Sequence, residues 1–148
     1  MSDKKIKIRF ANTNDCEDVY AWRSDSISRS MFFNNSTHSI EEHRDWFESS
    51  LININRKLYI GELATSKIGI CRFELNTTDS FVEVSINMNP QSRGSGLGKR
   101  FLTSSVEQYL KSNQYDLLAK IKPDNLASLR IFKSSGFMPI SKNVIWLL

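Results

Sequence analysis

The chain is poor in the residues that staple, coordinate or anchor a protein. Two cysteines, Cys16 and Cys71, cannot frame a disulfide-rich fold, and with only two histidines they lack the close spacing of a zinc site. No metal is expected. No apolar run approaches the roughly 18 residues of a membrane span, and Met1-Ser2-Asp3-Lys4-Lys5 leads into a strand-like pattern without a leader's apolar stretch. A cytoplasmic location without membrane contact is expected. Charge of one sign is also missing: twenty basic side chains against sixteen acidic leave +4, short of the dense basic stripe of a nucleic-acid binder. Lys4, Lys5, Lys7 and Arg9 form the one tight basic cluster. They interleave with Ile6, Ile8 and Phe10, as on the solvated face of a half-buried strand.

What is present is core material. Hydrophobic residues make up 40% of 148 positions and aromatics 11%, enough apolar surface to offset the ordering entropy of one domain over 1–148. Strand one is read at about 4–11, with Thr13 or Asn14 as N-cap of a helix holding Val19, Tyr20 and Trp22. The Ser- and Asn-rich stretch 24–39 reads as loop and short helix. Ser39 and Glu42 have capping-box spacing, and Ile40, His43, Phe47 and Leu51 then recur on one helical face to about residue 52. Segments 56–64, 67–76 and 81–89 read as an antiparallel meander. A helix follows at about 96–112, then a buried strand at 116–122, a helix at 124–135, and one or two strands at 137–147 in which Pro139 marks an edge or bend. This order predicts an α/β (α+β) fold, a mixed sheet covered by about four helices.

The informative segment is Gln91-Ser92-Arg93-Gly94-Ser95-Gly96-Leu97-Gly98-Lys99, which places three of the six glycines between an alternating strand and an amphipathic helix. A loop that wraps an anion must turn successive N–H groups inward, and the following helix N-terminus adds unpaired donors and a positive dipole end. Phosphate binding follows from that placement. The spacing fits neither a Walker loop, since three residues separate Gly94 from Gly98 and Arg100 follows Lys99, nor the dinucleotide fingerprint, since the third glycine comes one residue early. A tight turn without a ligand is the plainer alternative.

Arg93-Gly94-Ser95-Gly96-Leu97-Gly98 resembles the acetyl-CoA motif Arg/Gln-x-x-Gly-x-Gly/Ala of the GNAT superfamily of N-acetyltransferases, and Asn125, Ser128 and Gly136-Phe137 match a second feature of that family. The resemblance implies a mostly antiparallel sheet whose fourth and fifth strands splay around acetyl-CoA. It assigns the pyrophosphate to backbone N–H groups of Arg93, Gly94, Ser95, Gly96, Leu97, Gly98 and Lys99, with the Arg93 and Lys99 charges as supplements. It assigns the pantetheine arm to Asn125, Ser128 and the backbone of Ile86, Asn87 and Met88, with the Met88 N–H stabilising the oxyanion. Phe132 stands where the family often carries a tyrosine acid, so the thiolate leaves without that proton donor, and Phe132 either packs on the pantetheine arm or belongs to the core.

For the base that deprotonates the acceptor, Glu83 on the polar face of the fourth strand and His43 on the second helix are the two candidates, with Glu83 preferred. The segments Ala21-Trp22-Arg23-Ser24-Asp25, Ser30-Met31-Phe32-Phe33-Asn34 and Ser39 to Phe47 are similar to bacterial amino-sugar-nucleotide N-acetyltransferases, although Ser24 replaces the usual Asn. That likeness nominates Trp22, Arg23, Asn34, His43 and Trp46 for the acceptor, with tryptophans stacking on sugar or base and Arg23 pairing with a diphosphate. The expected partner is therefore a small-molecule amine, with a homodimer left open. A peptide N-terminus as acceptor and a non-catalytic CoA-binding module are the alternatives.

Overall fold

The computed structural model of the chain describes residues 5–32, 37–141 and 145–148. Strand β1 (Lys7–Phe10) is followed by helices α1 (Cys16–Ser24), α2 (Ser26–Met31) and α3 (Ile40–Ile52). The meander β2 (Arg56–Leu63), β3 (Ser66–Asn76) and β4 (Phe81–Met88) comes next. Then follow α4 (Leu97–Leu110), β5 (Asp116–Lys120), α5 (Leu126–Ser134), β6 (Met138–Ser141) and β7 (Ile145–Leu147). Among the described residues the strands form one seven-stranded sheet in the order β1-β2-β3-β4-β5-β7-β6, antiparallel except where β4 meets β5.

Local chemistry explains most boundaries. The Ser39 hydroxyl accepts from the Glu42 N–H at 3.1 Å, and the Glu42 carboxylate accepts from the Ser39 N–H at 3.1 Å, which closes the expected capping box on α3. The start of α1 differs from the reading of Thr13 or Asn14 as cap. Asn12 caps a 3₁₀ turn at Thr13–Asp15 by accepting from the Asn14 N–H, and α1 continues directly from that turn. Pro139 sits in the edge strand β6, where the register shifts between Pro139 and Ser141. A strand at the edge tolerates the missing donor.

Each face of the sheet has its own core. On one face α4, through Phe101 and Leu102, and α5, through Phe132, cover Phe73, Val82, Val84 and Leu117. On the other, α1 and α3 cover Leu58, Ile60 and Ile70 with Val19, Trp22 and Phe47. Alternation along β4 separates the two: Val82, Val84, Ile86 and Met88 belong to the α4 side, while Glu83, Ser85 and Asn87 face α1 and α2.

A buried carboxylate ties the N-terminal segment to this sheet. Asp15, fully buried, takes a two-pronged bond from Arg9 at 2.8 and 2.9 Å, an ion pair from Lys67 at 2.9 Å and the Asn12 N–H at 2.8 Å. Burial alone would raise its pKa, but these donors together hold the carboxyl well below the usual carboxylate range. A group with a depressed folded pKa contributes stability that is complete above its unfolded value of about 3.9 and is lost as pH falls below it. Replacing Asp15 by Asn is expected to cost about 3 kcal/mol in urea unfolding at neutral pH, since it removes the buried charge that Arg9 and Lys67 share and leaves them only Glu62 and Asp18, and to flatten the decline of stability below about pH 4.

Candidate functional site

Strands β4 and β5 pair in parallel over Phe81–Asp116, Val82–Leu117 and Glu83–Leu118, and then part. Beyond that point β5 pairs only with β7, while β4 keeps β3 to its end at Met88. The Asn89 N–H bonds the Ile68 carbonyl at 2.8 Å, so by alternation the N–H of Asn87 also points toward β3, and those of Ile86 and Met88 point into the gap. Two of the three expected backbone donors therefore face the gap. Asn87 is a correction: its N–H belongs to the β3 ladder, and its side chain accepts a bond from the Ser28 hydroxyl at 3.1 Å.

The glycine-rich turn stands at the open end of the gap. Asn89 caps the short turn Pro90–Ser92, after which Gly94 (φ +78°) and Gly96 (φ +75°) adopt left-handed backbone. Side chains would strain there by roughly 1–2 kcal/mol each. A Cβ at either glycine would meet nothing within 4 Å, so the space beside both is open. Gly98 serves packing instead, because a Cβ there would lie 2.5 Å from the Ile131 Cδ1, and its absence lets α4 approach α5.

Gly96 is the N-cap of α4 and has no side chain to bond the first-turn donors, and that turn carries no acidic residue. In contrast α1 and α3 place Glu17 and Asp18, and Glu41 and Glu42, at their starts. Lys99 and Arg100 occupy the α4 start instead, and a doubly charged phosphate group is the natural complement of such an end. The donors, the open cradle and the dipole fit the pyrophosphate of acetyl-CoA.

The remaining expected residues are placed unevenly. Asn125 caps α5 by accepting from the Ser128 N–H at 3.2 Å, which leaves its amide nitrogen for another partner. Phe132 is 2% exposed and meets Phe137 edge to face, so it is a core residue with no free face for pantetheine. Trp22, 5% exposed, is likewise packed in the α1–α3 core and cannot stack on a ligand. The Arg93 guanidinium is occupied by Asp25 and Ser28, which replaces its expected role as a free charge beside the phosphates. Asn34 lies outside the described residues.

His43 is fully buried. Its Nε2 lies 3.0 Å from the Cys16 carbonyl, an acceptor only, so Nε2 carries the proton and Nδ1 accepts from the Arg23 guanidinium at 3.4 Å. Burial, with the nearby Arg23 and His38 charges, lowers its pKa and outweighs the bond to Cys16. The imidazole thus has both nitrogens engaged and no route to an acceptor amine, which corrects its nomination as base. Its office is to hold Arg23.

Around Trp46 the structure gathers a group that the sequence scatters. The Arg23 guanidinium lies 5.2 Å from the Trp46 ring centre and that of Arg56 lies 5.7 Å from it. Arg56 bonds Glu74 at 2.8 Å, and the Arg72 Nε stands 3.7 Å from the same carboxylate. Among the described residues Arg23 faces no carboxylate, and its pKa is lowered by burial and by the like charge of Arg72. Of this group the sequence points only to Arg23 and Trp46. Arg56, Arg72 and Glu74 come from β2 and β3, on the same sheet face as Ser85 and Glu83.

Glu83 closes the apex of the gap. It occupies the last β4 position paired to β5, with the Lys120 Nζ 3.7 Å from its carboxylate. It lies three residues from Ile86 and five from Met88, roughly 10 and 16 Å along the strand. Among the described residues no helix is long and apolar enough to cross a membrane, and no cluster of three metal-ligating side chains exists.

Residues 5–138 match the acetyltransferase (GNAT) domain family, and the chain belongs to it. It is an acetyl-CoA-dependent acyltransferase. Among curated relatives, an L-methionine sulfoximine/L-methionine sulfone acetyltransferase of Salmonella typhimurium is 24% identical, over 89% of this chain and 80% of its own. An L-amino acid N-acyltransferase, MnaT, of Escherichia coli is 25% identical, over 90% of this chain and 80% of its own. Among solved structures, the spermidine N-acetyltransferase of Vibrio cholerae in complex with CoA and spermine superposes with a TM-score of 0.83 at 14% identity, covering 92% of this chain and 82% of that one.

Replacing Gly96 by Ala is expected to raise the acetyl-CoA dissociation constant about tenfold, by putting a side chain into left-handed backbone at the cradle. Replacing Gly98 by Ala is expected to lower the thermal midpoint instead, because the added methyl presses on Ile131. Calorimetry with acetyl-CoA and a thermal melt separate the two effects.

Proposed function

We propose that the chain acetylates the primary amine of an acceptor that also carries negative charge, an amino-sugar nucleotide first, by direct attack in a ternary complex. The observation that carries this reading is the excess of guanidinium charge on the acceptor side of the sheet. Arg56 and Arg72 share the carboxylate of Glu74, while Arg23, without a carboxylate among the described residues, lies with Arg56 over Trp46. An arriving diphosphate relieves the repulsion between Arg23 and Arg72, and the planar forks match its oxygens. Trp46 serves as the platform on which two guanidinium groups lie.

The reaction needs three things from the chain. The first turn of α4 and the glycine cradle hold the pyrophosphate. A donor in the gap receives the oxyanion as the amine attacks the thioester carbonyl, and losing such a donor typically costs about 100- to 1,000-fold in rate. Glu83 takes the proton from the amine. A base must act directly or through one water, so Glu83, some 10 Å along the strand from Ile86 but some 16 Å from Met88, serves a carbonyl held at Ile86 better than one at Met88. The oxyanion is accordingly assigned to the Ile86 N–H, with Met88 left to the pantetheine arm. The thiolate of CoA then departs and takes its proton from water.

A free amino acid is the second reading, favoured by the named activities of the two curated relatives. Its carboxylate suits the same arginines. A CoA-release screen with amino-sugar nucleotides, methionine sulfoximine, N-terminal peptides and spermidine decides between them. Turnover is expected with the anionic amines and not with the polycation spermidine; turnover with spermidine alone would reverse the reading.

Two variants sharpen the test. Arg72→Gln is expected to raise the acceptor KM about tenfold with little change in kcat, as for an interaction made equally in ground and transition states. Glu83→Gln is expected to lower kcat by about 100-fold or more. A fall of only a few-fold would assign the proton to solvent or to a group on the acceptor.

A further inference from the structure

Arg93 opens the glycine-rich turn, yet its side chain reaches away from the cradle. Its Nη1 bonds the Asp25 carboxylate at 3.0 Å and its Nη2 bonds the Ser28 hydroxyl at 2.5 Å. Ser28, 4% exposed, passes the connection on by donating to the Asn87 side chain at 3.1 Å. Asp25 is also the N-cap of α2, accepting from the Ser28 N–H at 3.1 Å. That cap bond, chiefly, and then the Arg93 charge hold the Asp25 carboxyl below its ordinary pKa, against the opposing effect of burial. One guanidinium therefore fastens three elements together: the turn, the acceptor-side helix α2 and the end of β4.

Arg93 itself is in extended backbone between the Pro90–Ser92 turn and the left-handed Gly94. Gly94 and Gly96 follow it with open space where side chains would stand, and within the turn the Ser95 hydroxyl donates to the Ser92 carbonyl at 3.0 Å. The side chain of Arg93 adds to this local bond a tie from the turn to a separate element. A lysine in its place could pair with Asp25 but could not fork to Ser28 as well.

We propose that Arg93 is a positioning residue: by clamping the glycine-rich turn to Asp25 and Ser28 of the acceptor-side helix, it couples the affinity for acetyl-CoA to the seating of α2. The proposal rests on the assignment of the turn to the acetyl-CoA pyrophosphate. Coupling of this kind is reciprocal, so acetyl-CoA in turn steadies the wall against which the acceptor amine lies. Ser28 and Asp25 reach the cradle through the Arg93 side chain, and they influence the cofactor by that route.

The test is a binding cycle read by calorimetry with acetyl-CoA on the full chain, comparing wild type, Arg93→Gln, Ser28→Ala, Asp25→Asn and the double variant Ser28→Ala/Arg93→Gln. Ser28→Ala and Asp25→Asn are each expected to weaken binding about fivefold or more, the double variant is expected to be no weaker than Arg93→Gln alone, and Arg93→Lys is expected to fall between wild type and Arg93→Gln. Ser28 and Asp25 variants within twofold of wild type beside a tenfold loss in Arg93→Gln would overturn the clamp in favour of direct phosphate contact. Multiplying effects in the double variant would overturn it as well. Absence of heat from wild type at millimolar acetyl-CoA would remove the pyrophosphate assignment and the clamp together. Should Arg93→Gln fail to fold, the comparison of Ser28→Ala and Asp25→Asn with wild type decides alone.

Discussion

The parting of β4 from β5 after three paired residues is the constraint on which the site depends. A continuous ladder would have used the inward N–H groups of Ile86 and Met88 on a neighbouring strand, and a buried unpaired donor costs as much as the bond it forgoes. In the proposed complex a ligand amide or thioester takes those bonds. The same divergence makes room for the turn at 90–96 and aims the start of α4 across the gap. Site and topology are one arrangement: a parallel pair in an otherwise antiparallel sheet requires a crossover helix, and that helix is the one whose N-terminus receives the phosphates in the proposed complex.

In the proposed reaction the two faces of the sheet divide the labour. One holds the thioester carrier against α4 and α5, and the other holds the acceptor against α1, α2 and α3. Anionic groups are received on both, by different means. Backbone donors and a helix dipole serve the carrier, where close approach demands glycine; guanidinium groups on a tryptophan serve the acceptor, where reach matters more than intimacy. His43 illustrates how the second site is braced. Its proton is fixed on Nε2 by the Cys16 carbonyl, so Nδ1 is obliged to accept from Arg23, and a buried residue thereby orients a charged one.

Local signals are legible in the sequence wherever they depend on near neighbours. The alternation at 81–89, the Ser39–Glu42 box, the break at Pro139 and the glycine turn each announce themselves within a few positions. Long-range partnership is not written that way. Nothing near Arg93 shows that Asp25, 68 positions earlier, takes its charge, and nothing in the segment 56–74 shows that Arg56, Arg72 and Glu74 meet Trp46. Aromatic residues suffer from a related ambiguity. Trp22 and Trp46 both sit on helical faces, and only packing buries the first and leaves the second half-exposed under two cations. The choice between Ile86 and Met88 as oxyanion donor also needs the structure, because it turns on where along β4 the pairing with β5 ends.

An ion pair stands at the apex of the gap. Glu83, on the final rung that β4 and β5 share, meets Lys120, two residues further along β5, at 3.7 Å. As a purely structural pair they would add little, since both are partly exposed and such pairs contribute about 0–1 kcal/mol. Their position gives them a different meaning in the proposed reaction. An acceptor arrives as an ammonium ion, and by taking the place of Lys120 beside Glu83 it substitutes one cation for another with no net change in the charge around the carboxylate. Glu83 is then in contact with the group whose proton it must receive, while Lys120, half-exposed at the end of β5, is released to solvent. In the proposed reaction the ion pair beside the fork in the sheet thus holds the place of the substrate amine.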